Sequence, residues 1–531
     1  MRKIFLSLFV LFGVLLFQTV QAQPATSDTL YHIDVHAHIS LKPYNRAYGL
    51  PDAQPELWCE QTACAQGVYR FPNLLGAYKK VPPVSCCNFN NLVKGDVKIA
   101  FASVCPIQRE FTQNRFYTKL FLWNRYKLAA TMAYFAGSNT QKILDLQNNE
   151  VNYFTEAKNE LNLFMKSAAT HSPNGKNSYR VAYNYADIAQ NLAHEPDAIS
   201  VVLNIEGAHA LGTGIPHTLR MEKKNPEQFY QLLTQNVTEL KQNYPIFSLT
   251  LANHFWNQLC GQTRTSKGLI AALINERRGQ KVGITPFGYH VIDQLLSTQN
   301  GNRILIDIKH MSLKSRLEYY QLLNEKYQNN IPILYSHGGV NGIENLETAF
   351  KNSLQFKRDR SKVNKKSYLH QWSFNLYDDE IKLIHQSKGL IGIMLEDTRL
   401  GGKVAVKSIK KTIDWSQQQK DEYIKLFMAS PLHIVKVIGN VSAWDIIALG
   451  SDFDGAINPM DTYQDASRMQ ELRFDVIDFL YRVQQNRLAI TKERYLFDNA
   501  EIVALMYGLT PEQIADKMLR SNALNFLANN F

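Results

Sequence analysis

The segment Ile33-Asp34-Val35-His36-Ala37-His38-Ile39 decides the fold that this sequence predicts. Its apolar and β-branched residues alternate with two histidines, a pattern typical of a β-strand. Alternate strand positions share a face, so His36 and His38 project in the same direction. Such a pair could hold a metal ion at a strand end, although two solvent-facing histidines are the commoner explanation. A metal site therefore needs further ligands from elsewhere in the chain.

Seven further apolar runs follow, and helical periodicity separates most of them. These runs cover residues 97–104, 199–205, 246–251, 304–308, 331–335, 390–395 and 446–449. Eight strands alternating with helices predict an α/β fold, a (β/α)8 TIM barrel with large loop insertions. An open, doubly wound sheet uses the same alternation and is the alternative. C-terminal helices are also predicted, because Thr510 and Gln513 form a capping-box pattern around Pro511.

Residues 1–22 have the pattern of a secretory signal peptide: Arg2 and Lys3, then an apolar run, then a small-residue exit. An uncleaved membrane anchor is the alternative, but the run is short for a bilayer span. No later segment is long and apolar enough to form a stable membrane span. We therefore expect an exported protein, periplasmic or secreted, in which residues 23–531 form a single barrel domain.

The composition is that of an ordinary globular protein, with 45% hydrophobic and 20% charged residues. The formal net charge of +11 is concentrated in two basic insertions, at about 346–372 and 400–428, which we expect to be solvated. Aromatic residues are sparse within the basic runs, with Phe356 alone between Lys351 and Lys366 and none between Lys403 and Lys411, so an exported protein of this kind is not expected to bind nucleic acid. An acidic ligand or an envelope surface is the alternative partner.

The cysteines are concentrated near the N-terminus. Five of the six lie between positions 59 and 105, namely Cys59, Cys64, Cys86, Cys87 and Cys105, and the sixth is Cys260. The segment at about 42–95 lacks hydrophobic periodicity, which predicts a Cys-rich loop insertion tied by disulfides in an oxidising compartment. A zinc site is the rival interpretation, but no pair of Cys-x-x-Cys motifs accompanies the cluster. The sequence does not define the pairing.

Six of the eight predicted strands are followed by, or contain, residues that can bind a metal ion or transfer a proton. These residues are His36, His38, Glu206, His254, His310, His337 and Asp452. One such residue after a strand is more often a capping or hydrogen-bonding group. In a barrel, however, the carboxyl ends of the strands converge on one face. Their recurrence at successive strand ends therefore predicts one shared site.

This set of residues favours metal-assisted hydrolysis. Imidazoles and a carboxylate suit zinc or a similar divalent ion, and a carboxylate with two oxygens can bridge two ions. A metal pair brings the pKa of a bridging water close to neutrality, which makes hydroxide available as the nucleophile. Asp452 would then accept a proton and pass it to the leaving amine.

The motifs around these residues resemble those of a known family. They include Asp34-Val35-His36-Ala37-His38, Asn204-Ile205-Glu206-Gly207, Ile306-Asp307-Ile308-Lys309-His310, Tyr335-Ser336-His337 and Gly450-Ser451-Asp452-Phe453-Asp454-Gly455. In order and spacing they resemble the membrane dipeptidases (renal-dipeptidase-like, peptidase family M19) of the amidohydrolase superfamily. The resemblance covers positions 34 to 526.

Carried over to this chain, the resemblance implies a role for each predicted site residue. His36 and His38 would bind one divalent ion, His310 and His337 a second, and Glu206 would bridge them, most simply as two Zn²⁺. Asp452 would be the acid/base residue, and His254 would steady the carbonyl oxygen of the substrate. A homodimer is also implied. By contrast, His209, Asp307, Lys309 and Asp454 are expected to pack or to orient neighbours.

Three residues depart from the family pattern. His38 stands where the family usually has aspartate, which adds positive charge to the site. His254 is displaced by one position, with Asn253 in the expected place. Phe374 replaces the family arginine that clamps the terminal carboxylate of the substrate, and a phenyl ring cannot form that bidentate contact. Arg358 or Arg360 could substitute for it.

The sequence therefore predicts a binuclear metallohydrolase that cleaves a small amide or dipeptide-like substrate. One alternative is an amidohydrolase that acts on a non-peptide amide, a lactone or an ester. The other is a catalytically inactive, metal-stabilised binding protein, which would have no use for an acid/base residue such as Asp452.

Overall fold

A parallel β-sheet forms the centre of the protein. The computed structural model describes residues 30–49, 56–58, 85–112, 126, 129–130, 132–133, 137–166, 171–266, 274–354, 364 and 366–531. The strands are β1 (His32–Ala37), β2 (Val97–Val104), β3 (Ser178–Val181), β4 (Ala198–Glu206), β5 (Ile246–Thr250), β6 (Leu305–Asp307), β7 (Leu334–Gly338), β8 (Leu390–Ile393) and β9 (Ile447–Leu449). Their spatial order is β1-β2-β4-β5-β6-β7-β8-β9, and β3 pairs with β4 beside this path.

The sheet curls into a nearly closed barrel. Neighbouring strands are parallel throughout. A bridge between Ala37, at the end of β1, and Phe453, after β9, brings the two edges together. The predicted (β/α)8 barrel is therefore confirmed, and the open sheet is wrong. The carboxyl ends of the eight strands consequently share one face.

Each of the eight predicted runs overlaps one strand. The largest shift is in β7, predicted at 331–335 and found at Leu334–Gly338. Polar Ser336 and His337 end the apolar run, yet both lie buried inside the strand. The short strand β3 was not predicted, because its four residues, Ser-Tyr-Arg-Val, do not form an apolar run.

Helices connect the strands and cover the barrel. They are Leu41–Ala47, Phe89–Lys94, Thr140–Asn148, Tyr153–Lys166, Tyr185–His194, Pro216–Lys224, Pro226–Asn243, Pro286–Leu296, Leu313–Tyr327, Leu346–Ser353, Asp378–Gln386, Asp397–Leu400, Lys403–Ile409, Gln417–Ile438, Met469–Gln484, Asn499–Leu505, Pro511–Asp516 and Asn522–Asn530. The predicted capping box of Thr510 and Gln513 is confirmed. Across the described ranges, no helix combines the length and apolar character that a membrane span requires.

The core surrounds the strands on both faces. Every residue of β1 is buried, as expected for a parallel strand with side chains inside the barrel and against the helices. The basic segment at 400–428 has two sides: Lys403 and Lys407 are exposed as predicted, whereas Leu426 and Phe427 are fully buried. This segment therefore contributes to the core as well as to the charged surface.

The cysteines do not support disulfides within the described part of the chain. Cys86, Cys87, Cys105 and Cys260 are all free thiols. Cys86 and Cys87 are buried in the main core rather than in an exposed loop. Both have a pKa raised well above the usual value, first by burial and then by the charge of Asp454, so they stay protonated.

Several sequence predictions fall on residues outside the described ranges. These are Cys59 and Cys64, Arg358 and Arg360, and the signal peptide at 1–22. Disulfides that involve Cys59 or Cys64, and export through the signal peptide, stay predictions.

Candidate metal centre

Glu206, the last residue of β4, lies at the centre of a histidine cluster. Its Oε2 atom is 3.0 Å from His38 Nε2 and 3.8 Å from His36 Nε2. Its Oε1 atom is 2.9 Å from His310 Nε2 and 3.9 Å from His337 Nε2. Each carboxylate oxygen thus faces a different pair of histidines, the arrangement expected of a bridging ligand.

Asp452 lies beside both histidine pairs. Its Oδ1 atom is 3.6 Å from His38 Nε2 and 4.0 Å from His36 Nε2, while Oδ2 is 4.0 Å from His337 Nε2. The backbone of Asp452 has a φ of 61°, a left-handed conformation that aspartate tolerates better than most residues. Its amide donates to the carbonyl oxygen of His36, 3.0 Å away, which fixes it above the end of β1.

The cluster fits divalent metal ions. Three groups of side chains have ligand atoms within 4.8 Å of one another: His36, His38 and Glu206; Glu206, His310 and His337; and His36, His337 and Asp452. The Nε2 atoms of His36 and His337 are buried, and neither forms a hydrogen bond with a described residue. Buried polar atoms nearly always have partners, and metal ions would supply them here.

Asp34 fixes the turn beside His36 and His38, the first candidate ligand pair. Its carboxylate accepts hydrogen bonds from the His36 amide at 3.1 Å, the Ser451 amide at 2.9 Å and the Ser451 hydroxyl. These bonds join β1 to the turn that precedes Asp452. The first and last strands therefore hold the ligands and the acid/base candidate in one fixed arrangement.

Hydroxyl groups contact the Nδ1 atoms of two histidines of the cluster, His337 and His36. Ser336 donates to Asp307 Oδ2 at 2.6 Å, so its oxygen must accept from His337 Nδ1, 2.9 Å away. With the proton on Nδ1, the Nε2 atom of His337 is left free to bind a metal. Ser103 Oγ lies 3.1 Å from His36 Nδ1 in the same kind of contact. As predicted, Asp307 orients its neighbours.

The pKa shifts of His36, His337 and Glu206 favour the protonation states in which these side chains can bind a metal ion. Burial lowers the pKa of His36 to about 4 and that of His337 well below its usual value, so both rings are neutral. Burial alone would raise the pKa of Glu206, but His310 and His38 outweigh it and hold that pKa well below the usual value. Neutral imidazoles with an ionised carboxylate are the protonation states that metal binding requires.

His38 differs from the other histidines, as the sequence suggested. Burial opposes a charge on this ring, but the carboxylates of Asp452 and Glu206 outweigh burial and raise its pKa to about 10. A metal ion must therefore displace a proton from His38.

His254 lies at the edge of the cluster, with its ring centre 5.0 Å from that of His310. Thr265 donates to Glu276 at 2.8 Å and so accepts from His254 Nδ1, which is 2.6 Å away. The other ring nitrogen, Nε2, is left for a substrate. Asn253, in the position that the family spacing favours, instead donates to the main-chain oxygen of Glu206 at 3.2 Å. The displacement thus leaves a histidine beside the ligands.

The other candidates set aside in the sequence have structural contacts. His209 is buried, with Nε2 2.8 Å from the carbonyl oxygen of Pro106. Asp454 pairs with Lys42 Nζ at 2.5 Å and accepts from the Cys86 amide. Both residues support the loops around the site.

Sequence reasoning missed Arg399, whose Nη1 atom lies 3.9 Å from Asp452 Oδ2. This arginine belongs to a short helix, Asp397–Leu400, that follows β8. The run that forms β8 was one of two to which no site residue was assigned. A cation directly after that strand was the available signal, because every strand end faces the same side of a barrel.

Replacing Ser336 with alanine is expected to weaken metal binding by about 10–100-fold, because His337 loses the partner that fixes its ring. Calorimetric titration of Zn²⁺ into the metal-free protein would measure the change. Ser408→Ala, on the helix Lys403–Ile409, is the matched control and should bind metal as the wild type does. Unchanged affinity in Ser336→Ala would contradict the role of the Ser336 hydroxyl.

Fold and site together define a class: a (β/α)8 barrel whose carboxyl face carries a histidine–carboxylate cluster suited to divalent ions. The family model described as Membrane dipeptidase (Peptidase family M19) matches residues 361–487 of this chain. That segment includes Asp452 and Arg399. The resemblance to membrane dipeptidases is therefore confirmed.

Solved structures that are similar to this chain at low sequence identity were also found. One is dipeptidase AC, a metallo peptidase of family M19, with 13% identity, coverage of 94% of this chain and 99% of that chain, and a TM-score of 0.46. The probable dipeptidase PvdM from Pseudomonas aeruginosa has 13% identity, coverage of 84% and 88%, and a TM-score of 0.45. A metallo peptidase from Rhodobacter sphaeroides, liganded with a phosphinate mimic of the dipeptide L-Ala-D-Ala, has 12% identity, coverage of 95% and 100%, and a TM-score of 0.44. No curated protein matches this chain significantly in sequence.

Proposed function

We propose that this protein is a binuclear, zinc-dependent hydrolase that cleaves a small amide, most simply a dipeptide-like substrate. One observation carries the proposal. The two oxygens of Glu206 face two separate histidine pairs at 2.9–3.9 Å, and Asp452 lies within 4.0 Å of both pairs. A purely structural metal site has no need of a second carboxylate placed this way.

The chain supplies the groups that such a reaction needs. Divalent ions held by the two histidine pairs and Glu206 would lower the pKa of a water molecule and polarise a carbonyl group. Asp452 would accept the proton of the attacking water and return it to the leaving amine. His254 donates to Thr265 through Nδ1, so its Nε2 atom carries a lone pair and would accept a hydrogen bond from an N–H group of the substrate rather than contact the carbonyl oxygen.

The family match favours a dipeptide over a lactone or an ester. The model that matches residues 361–487 describes membrane dipeptidases, which cleave the amide bond of two-residue peptides. A buried site also suits a small substrate, since Glu206 and Asp452 are only 5% and 3% exposed. The alternative of an inactive binding protein has no comparable support.

Removing the metal ions is expected to abolish hydrolysis, and adding Zn²⁺ back should restore it. The test is turnover of a mixed dipeptide library by the purified protein before and after chelation, with metal content measured in each sample. Because the metal ions would bind the native state and not the unfolded chain, the metal-loaded protein should also have a higher Tm than the metal-free protein.

Two outcomes would contradict this proposal. Hydrolysis that persists without bound metal would exclude a metal-dependent reaction. A fully metal-loaded protein that turns over neither dipeptides nor a panel of amides, lactones and esters would favour the binding-protein alternative.

A further inference from the structure

Two buried basic side chains, Arg399 and Lys309, lie beside the cluster, and neither is a candidate metal ligand. Arg399 is 8% exposed and Lys309 only 1%. Lys309 directly precedes the ligand His310, and Arg399 follows β8, so both lie at the carboxyl face of the barrel. Burying a cation is costly unless it is paired. Their partners therefore bear on what this site binds.

Two contacts hold the Arg399 guanidinium through Nε and Nη2, and its Nη1 atom remains available to a ligand. Nε lies 2.8 Å from Glu396 Oε2, and Nη2 donates to the carbonyl oxygen of Ala456 at 2.9 Å. Nη1 approaches Asp452 Oδ2 only to 3.9 Å and forms no hydrogen bond with the described residues. The guanidinium is thus fixed in place with free donors beside the acid/base candidate.

Lys309 has even less charge compensation. Its Nζ atom donates to the Tyr335 hydroxyl at 3.3 Å, and that hydroxyl donates in turn to the carbonyl oxygen of Phe374. Within the described ranges, no carboxylate lies within the 4.0 Å of a salt bridge to Nζ. Two further donors of the ammonium group therefore remain for a ligand.

Both cations lie near one aromatic ring. Lys309 Nζ is 5.0 Å, and the guanidinium carbon of Arg399 6.0 Å, from the centre of the Phe374 ring. A ring face attracts cations but carries no formal charge that could neutralise them. An anionic group that enters beside Phe374 would meet both sets of free donors and complete them.

We propose that Arg399 and Lys309 together bind a carboxylate of the substrate and so determine its specificity. The identification of that carboxylate as the C-terminus of a dipeptide rests on the proposed function. In this chain, then, the positive charge comes from the ends of β6 and β8, whereas Phe374 contributes an apolar wall. Arg358 and Arg360 are not needed for the role.

The test compares two ligands that differ only in this group. A phosphinic dipeptide mimic with a free carboxylate and the same compound with a carboxamide would be titrated calorimetrically into the metal-loaded, full-length protein. The wild type should bind the carboxylate form about 10–100-fold more tightly, as expected for hydrogen bonds to a charged group. Arg399→Gln and Lys309→Met should each reduce this ratio, and Arg399→Lys should retain part of it.

The ratio of the two affinities distinguishes a loss of carboxylate recognition from general damage to the site. A variant that loses metal or folds poorly binds both ligands more weakly, whereas a variant that loses only the carboxylate contact binds only the carboxylate form more weakly. Lys403→Met, at an exposed position on the neighbouring helix, is the matched control and should keep the full ratio. Metal content and thermal unfolding would be measured for every variant.

A wild-type protein that binds both ligands equally would overturn the assignment, as would a ratio that survives Arg399→Gln and Lys309→Met. The proposed function is tested separately, by measuring the turnover of dipeptides. A protein that keeps the carboxylate preference but cleaves no dipeptide would support the anion site and contradict the dipeptidase activity.

Discussion

The Asp452→Asn variant is expected to keep its metal ions and to lose about 10²–10⁴-fold in kcat, the contribution typical of a general acid/base. Asparagine preserves the size of the side chain but cannot accept a proton at neutral pH. The nearest contacts of the ligand set, 3.0 Å and 2.9 Å from Glu206 to His38 and His310, do not involve Asp452. Metal binding should therefore survive the change while proton transfer fails.

Steady-state kinetics on the best dipeptide, together with metal analysis of the same samples, would test this expectation. Asp197→Asn is a suitable control, because Asp197 is exposed and lies in the turn before β4, at the opposite end of that strand from Glu206. Its kinetics should match the wild type. Normal turnover by Asp452→Asn would rule out the acid/base role, and loss of metal in that variant would show that Asp452 is mainly a ligand.

The membership of the site could be predicted because barrel topology is simple. Glu206 ends β4, and His337 lies in β7, so a residue far along the chain enters the same face as His36 once the strands close into a barrel. Hydrophobic runs and the polar residues that follow them are readable from sequence. These two features were enough to predict which side chains the barrel brings together.

The conformations of two site residues could not be predicted in the same way. His310 and Asp452 have φ values of 66° and 61°, outside the strand region. Neither is glycine, and left-handed backbone at other residues depends on the surrounding structure. The alternation rule that places His36 and His38 on one face therefore does not extend to them.

The tertiary contacts of charged residues could not be predicted from the sequence either. The role of Lys309 depends on the ring of Phe374, which lies far from it in the chain, and Arg399 depends on a turn after β9. Cys86 and Cys87 resemble disulfide partners by composition, yet burial in the core and contact with Asp454 make them protonated thiols. Sequence composition indicates which chemistry is available, but burial and neighbours decide which is used.

Glu206→Gln should have the largest effect of any single substitution in this site, because it alters both histidine pairs at once. A glutamine side chain removes the negative charge and turns an N–H donor toward one pair of imidazoles, where a metal ligand must offer a lone pair. The loss of metal affinity should exceed the about 10–100-fold expected from removing an outer partner such as Ser336. Hydrolysis should fall with it, and the Tm should move to that of the chelated wild type.

Metal content after dialysis, and Tm with and without added Zn²⁺, would measure this result. Glu227→Gln, at an exposed position in the first turn of the helix Pro226–Asn243, is the matched control. Retention of both ions by Glu206→Gln would contradict a bridging role for Glu206. If Glu206 bridges two ions and Asp452 transfers protons, Glu206→Gln loses metal and activity together. Asp452→Asn then loses activity alone.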